Sequence, residues 1–191
     1  MSAQEYLAVA LAIAYLLLAI RENRWCWPAG IGSALLYLGV FYAAGLYMQA
    51  ALQLFYAAMG IYGWWAWRPG TDGTTSLAIH RWPLRRHVVA LAAIVLVSLA
   101  SGGLLERYTQ AASPYLDSFV TWAAILTTWM VARKLLENWL YWFVIDAVTL
   151  GIALEQGLYP TAALFALYLA LVVAGWRRWL MAWERRAVPA A

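Results

Sequence analysis

The feature that most constrains this chain is a run of 43 residues, from Trp25 to Trp67, without any Asp, Glu, Lys, Arg or His. A helix that crosses a bilayer core needs about 20 predominantly apolar residues. The run therefore predicts two consecutive membrane crossings. We expect the turn between them at residues 43–47, Ala-Ala-Gly-Leu-Tyr, because small residues and a glycine permit a tight turn.

Composition excludes a soluble enzyme. Of the 191 residues, 65% are hydrophobic and 12% are charged, whereas soluble domains are about half apolar and about a quarter charged. The net charge of +4 does not indicate a nucleic-acid partner, since no basic domain lies outside the apolar runs. We interpret the basic residues as topology signals, and we expect membrane lipids and a small molecule as partners.

The single cysteine, Cys26, allows no disulfide within the chain and no multi-cysteine metal site. We expect neither a metal nor a cofactor. The residues before Tyr6 contain no Lys or Arg, whereas a signal peptide has a basic start. The first apolar run is therefore predicted to be a retained membrane helix.

Seven apolar runs are bounded by charged or turn residues, and they predict an all-α integral membrane protein with seven transmembrane helices. The sizeable polar stretch, residues 68–86, begins with Pro69-Gly70 and is predicted to be a loop. The runs are Tyr6–Ile20, Trp27–Ala43, Met48–Trp67, Val88–Leu105, Phe119–Ala132, Trp139–Leu154 and Thr161–Trp176.

Basic residues are distributed asymmetrically between the two sides of the membrane. When the seven helices are threaded in order, 12 of the 13 Lys and Arg residues fall on one side and Arg107 falls on the other. Positive charge is retained in the cytoplasm. The chain is thus predicted to be a multi-pass protein of the cell (inner) membrane, with its amino terminus outside and its carboxyl terminus cytoplasmic.

The chain contains an internal repeat at a separation of 112 residues. Without gaps, this shift gives 17 identities over residues 12–67, including Trp27 with Trp139 and Tyr56 with Tyr168. Chance matches of Ala, Leu and Gly explain some of these identities. They do not explain several aromatic pairs and a Gly-Leu-Tyr turn in one register, so we infer a duplication.

The repeat predicts a 3+1+3 arrangement within a single membrane domain, residues 1–191. The first three-helix repeat is 6–67, a cytoplasmic loop and linker helix follow at 68–105, and the second three-helix repeat is 118–179. Because each repeat has an odd number of crossings, the linker helix restores the orientation and makes the repeats parallel. Transporters with parallel repeats bind their substrate at the repeat interface near mid-membrane.

Five motifs together span nearly the whole chain: Ile20–Pro28, Gln49–Tyr56, Tyr62–Trp67, Glu137–Trp142, and Gly157-Leu158-Tyr159 through Tyr168 to Trp179. In order and context they resemble the PnuC family of vitamin B3 transporters. The resemblance implies a fold similar to that of a SWEET sugar transporter and a homotrimer. It also implies uptake of nicotinamide riboside by facilitated diffusion, with trapping by phosphorylation in the cytoplasm; thiamine and other vitamins are alternatives in the same family.

Polar and aromatic residues form helical stripes in the third and sixth helices, and they are our candidate substrate-binding residues. Spacings of three and four place each set on one helix face. Tyr168 joins them as the repeat counterpart of Tyr56. The third helix contributes Gln49, Gln53 and Tyr56, and the sixth contributes Trp139, Trp142, Asp146 and Thr149.

Asp146 is the ionisable residue deepest inside an apolar run, where a carboxylate costs about 2.5–3.5 kcal/mol and is a functional candidate by default. A carboxylate beside tryptophan faces suits a flat cationic ring, which the π-faces attract. The pyridinium of nicotinamide riboside and the thiazolium of thiamine both qualify. Alternatively, Asp146 is protonated and has a structural role.

Other candidates also have structural alternatives. Trp139 lies in the pocket or belongs to the membrane interface near its helix end, and Gln49 lies in the pocket or caps a turn. Tyr56 and Tyr168 are paired pocket walls or a symmetric packing contact. Tryptophans near helix ends are most often interfacial, and this places Trp25, Trp27, Trp67 and Trp179 in a membrane-interface belt.

Three other functions are alternatives to vitamin transport. An intramembrane enzyme is disfavoured, since neither His80 nor His87 lies within a span and no second buried acid accompanies Asp146. A SWEET-type sugar carrier is an alternative transporter, although sugars do not require an acid. A purely structural membrane protein does not explain the stripe of buried Asp and Gln.

Overall fold

The computed structural model describes residues 3–43, 47–69, 77–109, 113–155 and 157–187, and these residues form seven α-helices. Each predicted apolar run corresponds to one helix, which confirms an all-α architecture. The helices are α1 (Ala3–Ile20), α2 (Cys26–Ala43), α3 (Tyr47–Ala66), α4 (Leu84–Tyr108), α5 (Pro114–Ala132), α6 (Asn138–Glu155) and α7 (Tyr159–Ala187).

Several helices extend beyond the apolar runs that predicted them. Helix α5 begins at Pro114 instead of Phe119, and a proline fits the first turn of a helix, where its missing N–H has no intrahelical partner. Helix α7 continues past Trp176 to Ala187. Hydrophobicity predicts only the part of a helix that lies in the membrane. The helix itself continues beyond that part, because water can solvate the polar side chains that follow.

The described helices differ in hydropathy. By length and mean hydropathy, α1, α2, α4 and α7 are each apolar enough to cross a membrane. Helix α5 contacts α3, α4 and α6. Several polar side chains of α3, α5 and α6 are buried in the bundle, namely Gln53, Thr127, Thr128 and Asp146.

Helix contacts have a reciprocal pattern. Helix α2 packs against α1 and α3, and α6 packs in the same way against α5 and α7. Between these two groups, α3 contacts α5 and α1 contacts α7. A two-fold relation that exchanges α1 with α5 and α3 with α7 would produce this pair of contacts together.

Two turns separated by 112 residues have the same backbone conformation. Glu22 has φ 54° and Lys134 has φ 52°, both in the left-handed region. The amide of Glu22 donates to the carbonyl of Ala19, as that of Lys134 does to Val131. The φ angles and hydrogen bonds therefore repeat at the separation found in the sequence.

Four tryptophans form a continuous aromatic row. Trp27 and Trp67 meet edge to face with ring centroids 5.3 Å apart, and Trp139 and Trp179 do so at 5.4 Å. The rings of Trp67 and Trp179 join these pairs at 6.1 Å. We call Trp27, Trp67, Trp179 and Trp139 the tryptophan row.

The prediction of a membrane-interface belt is wrong for the three of its tryptophans that belong to this row. Trp25 is 62% exposed, as a belt residue should be, but Trp27, Trp67 and Trp179 are buried. The physical reason is close packing on glycine: a Cβ atom at Gly63 would overlap the ring of Trp27. Proximity to a helix end could not distinguish a lipid-facing tryptophan from one buried between helices.

The twelve basic residues predicted to share one side lie around the ends of α1, α3, α5 and α7, which we call the basic end. The loop before α4 crosses this end and pairs with the turn between α5 and α6. His80 donates its amide to the carbonyl of Lys134 at 3.2 Å and accepts from the amide of Leu136 at 2.9 Å. The loop is thereby fixed to the second half of the chain.

Candidate substrate site

Asp146 lies in the interior, in the middle of α6, and is 5% exposed. Its carboxylate interacts electrostatically with the phenol groups of Tyr56 and Tyr168. No hydrogen bond reaches Asp146 from the residues that the structure describes. The carboxyl group is thus buried without a hydrogen-bond or ion-pair partner among the described residues.

Trp142 lies one helical turn before Asp146 and connects the two parts of the core. It packs against the cluster around the tryptophan row and also against a second cluster formed by Ile94, Ala123, Ala124 and Ile145. Tyr56 packs against the same second cluster. Tyr56 on α3 and Trp142 on α6, from opposite halves of the chain, therefore pack against the same cluster.

Tyr168 brings α7 to the same carboxylate. Besides Asp146, its phenol interacts electrostatically with Tyr37 of α2, and its ring meets that of Phe165 edge to face at 5.6 Å. Asp146 thus lies within electrostatic range of two tyrosines that occupy equivalent positions in the repeat.

The remaining polar candidates differ in their environments. Gln53 is buried, 9% exposed, one turn before Tyr56 on α3. The hydroxyl of Thr149 donates to the carbonyl of Ile145 at 2.8 Å, so its proton is engaged by its own helix. The side chain of Gln49 lies outside the described residues.

Trp139 is packed in the tryptophan row, apart from the Asp146 carboxylate. It is 1% exposed, and a Cβ atom at Gly175 would overlap its ring. The same relation holds between Trp27 and Gly63 in the first half. Trp139 is therefore buried between α6 and α7 and does not face lipid as an interfacial tryptophan would.

Sequence reasoning missed two tyrosines near the site. Tyr37 interacts with Tyr168, and Tyr15 of α1 interacts electrostatically with Tyr56. The 112-residue register could have identified Tyr37, because Thr149 is its counterpart. An isolated tyrosine in an apolar run carries no such signal, since its ring is equally common in cores and at interfaces.

Sequence reasoning also missed the charged groups at the basic end. Glu137 is buried and accepts hydrogen bonds from Arg81 Nε at 2.9 Å and from the Trp82 amide at 3.3 Å. Lys134 donates to Glu22 at 3.0 Å. Burial lowers the pKa of the Lys134 ammonium, and Glu22 opposes that shift.

Two surface cavities lie away from Asp146. One, of about 540 Å³, is lined by Trp82–Pro83 and the first turns of α4, and another, of about 450 Å³, lies along the basic half of α7. None of the candidate substrate-binding residues lines either of them. Among the described residues, no three His, Cys, Asp or Glu side chains are grouped as a metal site requires.

Comparison with known proteins supports a transporter. Residues 2–181 match the nicotinamide mononucleotide transporter family. The riboflavin/roseoflavin transporter RibM of Streptomyces davaonensis is 29% identical, over 94% of this chain and 85% of its own length. The nicotinamide riboside transporter PnuC of Escherichia coli is 24% identical, over 74% of this chain and 70% of its own.

The fold matches a solved structure. A crystal structure of the vitamin B3 transporter PnuC superposes with a TM-score of 0.77 and 21% sequence identity, covering 95% of this chain and 82% of that one. The family match and these relatives define a multi-pass membrane transporter, not an enzyme. The chain belongs to the nicotinamide mononucleotide transporter family, which confirms the resemblance to PnuC found in its motifs.

Proposed function

We propose that this protein carries nicotinamide riboside, or a closely related vitamin with a flat cationic ring, across the cell membrane. The observation that carries the proposal is the buried carboxylate of Asp146 beside Trp142 and two tyrosines from other helices. A buried carboxylate is favourable when a cation balances it, and the nicotinamide ring supplies that positive charge. The indole of Trp142 offers a face on which the ring stacks.

The proposed site lies between two parallel three-helix repeats, residues 6–67 and 118–179, with 68–105 as loop and linker helix. Three observations support this arrangement: the 112-residue register, the matching φ angles of Glu22 and Lys134, and the reciprocal contacts α3–α5 and α1–α7. Tyr56 belongs to the first repeat and Asp146 to the second. A substrate held by both would sense the relative position of the two repeats.

Transport proceeds by facilitated diffusion, and phosphorylation in the cytoplasm traps the product. Asp146 is the one acidic residue buried in the middle of a described helix, and in this proposal it pairs with the positive charge of the substrate. Among the described helices, no second buried acid then remains to bind a coupling ion. The basic end faces the cytoplasm, in agreement with the positive-inside rule.

The proposed assembly is a homotrimer, as the resemblance to PnuC implies. The apolar face of α4 suits either lipid or a neighbouring copy, since Val88, Val89, Leu91, Val95 and Leu96 are all exposed. Light scattering of the purified protein in detergent measures the protomer number directly.

Riboflavin is the second candidate, and one observation favours it. RibM is more similar to this chain than the Escherichia coli PnuC is, and over a larger share of the sequence. Riboflavin is flat but uncharged, so it would use the Trp142 face without requiring the carboxylate. A dependence of binding on the positive charge of the ligand therefore distinguishes nicotinamide riboside from riboflavin. Thiamine, whose ring is also cationic, should behave like nicotinamide riboside.

The deciding experiment is a thermal-shift screen of the purified protein against nicotinamide riboside, thiamine, riboflavin and glucose. A ligand that binds the folded state raises the unfolding temperature, and the rise grows with the logarithm of the ligand concentration divided by its Kd. We expect stabilisation by nicotinamide riboside. Stabilisation by riboflavin alone would favour the second candidate, and stabilisation by glucose alone would favour a sugar carrier.

A further inference from the structure

Glu22 and Lys134 form an ion pair between equivalent positions of the two halves. The Nζ atom of Lys134 lies 3.0 Å from Oε2 of Glu22, and the two residues are 112 positions apart, which is the repeat separation. The Lys134 side chain is 1% exposed and that of Glu22 is 17% exposed. A residue that contacts its own counterpart lies next to the axis relating the two halves.

Reciprocal contacts surround this pair. Trp67 of the first half donates Nε1–H to the carbonyl of Ala132, and Trp179 of the second half donates Nε1–H to that of Ala19, both at 3.1 Å. Lys134 Nζ also lies 4.8 Å from the Trp67 ring centroid. The ion pair and the middle of the tryptophan row therefore close the basic end together, where the two halves meet.

The extension of α7 beyond its predicted span contributes a second cation. Arg186 lies 3.4 Å from the Glu22 carboxylate, but its side chain is 44% exposed. Because exposed ion pairs contribute little, Lys134 is the dominant partner. Arg186 extends from α7 of the same half as Lys134, so both cations contact Glu22 from the second half.

We propose that Glu22 and Lys134 are the latch of a gate at the basic end, and that this pair separates each time substrate passes between the two halves. The inference rests on the proposed transport function, because substrate held between the halves must pass this point on the axis. Rocking of the halves that opens the basic end moves the two residues apart, since each belongs to a different half.

Charge is what makes this contact reversible. A buried ion pair adds little net stability compared with apolar residues of similar size, because both charges lose their hydration. When the gate opens, water solvates both charges and recovers that cost. An apolar contact at the same place would instead resist opening, because opening would expose its surface to water.

The native Cys26 reports on this gate. It is fully buried at the start of α2, and its thiol lies close enough to Lys134 for electrostatic interaction. The test measures the rate at which a water-soluble maleimide labels Cys26 in the full-length protein in detergent. Slow labelling is expected for the wild type, because the closed latch covers the thiol.

Glu22→Met and Lys134→Met should each accelerate labelling by about tenfold or more, because each removes the main ion pair between the two halves and leaves its partner's charge at the contact. The two substitutions change the local charge in opposite directions. An increase in both therefore reports access to Cys26 and not a change in thiol ionisation. If either variant fails to purify as a monodisperse protein, Glu22→Gln or Lys134→Gln replaces it.

The double variant, Glu22→Met with Lys134→Met, separates a latch from a merely structural contact. It should label as slowly as the wild type, because the apolar pair closes the end, yet it should exchange nicotinamide riboside across vesicles more slowly. Glu137→Gln is the matched control. It breaks the Arg81–Glu137 ion pair at the same end of the protein, and this pair joins the loop before α4 to the second half instead of joining the two halves. It should leave Cys26 labelling within about twofold of the wild type, as expected for an uncoupled site.

Wild-type labelling rates in both single variants would overturn the latch, and so would an unchanged exchange rate in the double variant. The labelling measurement requires no substrate. If the proposed substrate is wrong, even the wild type fails to exchange nicotinamide riboside, while the labelling rates still decide whether the pair closes the basic end.

Discussion

The backbone at Gly175 lies against the ring of Trp139 so closely that a Cβ atom there would overlap three of its ring atoms. Gly63 and Trp27 repeat this relation 112 residues earlier. The two glycines therefore allow α3 and α7 to approach the tryptophans that begin α2 and α6. This packing sets the tryptophan row and, through it, the contact between the two halves.

Gly175→Ala should destabilise the protein by about 1–3 kcal/mol, the usual cost of forcing an extra methyl into a packed core. Gly63→Ala should do the same, because its Cβ would overlap the ring of Trp27. Thermal unfolding in detergent measures both. Gly151→Ala is the matched control, since no atom lies within 4 Å of a Cβ there. An equal loss in the control would show that the cost does not come from the tryptophans.

Asp146→Asn should weaken binding of nicotinamide riboside about tenfold or more, because opposite charges at close range attract by a few kcal/mol at an effective dielectric constant of about 20. A neutral analogue of the same shape should bind almost unchanged, since the amide keeps the volume and hydrogen bonding of the acid. Binding of each ligand to the purified variant is the measurement. Equal losses for charged and neutral ligands would assign Asp146 a structural role.

Trp142→Ala should weaken charged and neutral ligands alike, because stacking area does not depend on the ligand's charge. A stacked ring contributes about 1–3 kcal/mol in nucleic-acid sites, which corresponds to roughly ten- to a hundred-fold in affinity. Isothermal titration of both ligands measures the loss. If the cationic ligand alone is affected, Trp142 acts through its π-face charge and not through contact area.

A reporter fused after Ala191 should behave as cytoplasmic, and one inserted at Gly45 should behave as external. The prediction follows from the twelve-to-one distribution of basic residues between the two sides. Paired enzymatic and fluorescent reporters distinguish the compartments. Opposite results at either site would contradict the proposed orientation.

Purified protein in vesicles without a kinase should bring nicotinamide riboside to equal concentrations inside and outside, and then stop. Uptake of radiolabelled substrate over time measures this, with and without an imposed proton or sodium gradient. Adding a nucleoside kinase and ATP inside should drive further accumulation, since phosphorylation removes the transported form. Accumulation driven by an ion gradient alone would mean that Asp146 couples transport to that ion.

Sequence patterns were sufficient for the helices and for the candidate residues at the centre of the bundle. Long apolar runs located all seven described helices, because a bilayer imposes a length and a composition on each crossing. Asp146 is identifiable from sequence because an acidic residue within a membrane helix is costly to bury. Trp142 is identifiable because its spacing places it on the same helix face as Asp146. The register also paired Glu22 with Lys134 as equivalent positions, although the sequence did not indicate that they touch.

The sequence by itself determined what depends on local chemistry: helix number, charge asymmetry, the internal repeat and the family. Only the tertiary structure decided which tryptophans face the protein, since burial of Trp27 and Trp139 depends on glycines of other helices. It alone paired Lys134 with Glu22 and brought Tyr56 and Tyr168 to Asp146. These relations join residues far apart in the chain, and their distances are set by the packing of whole helices.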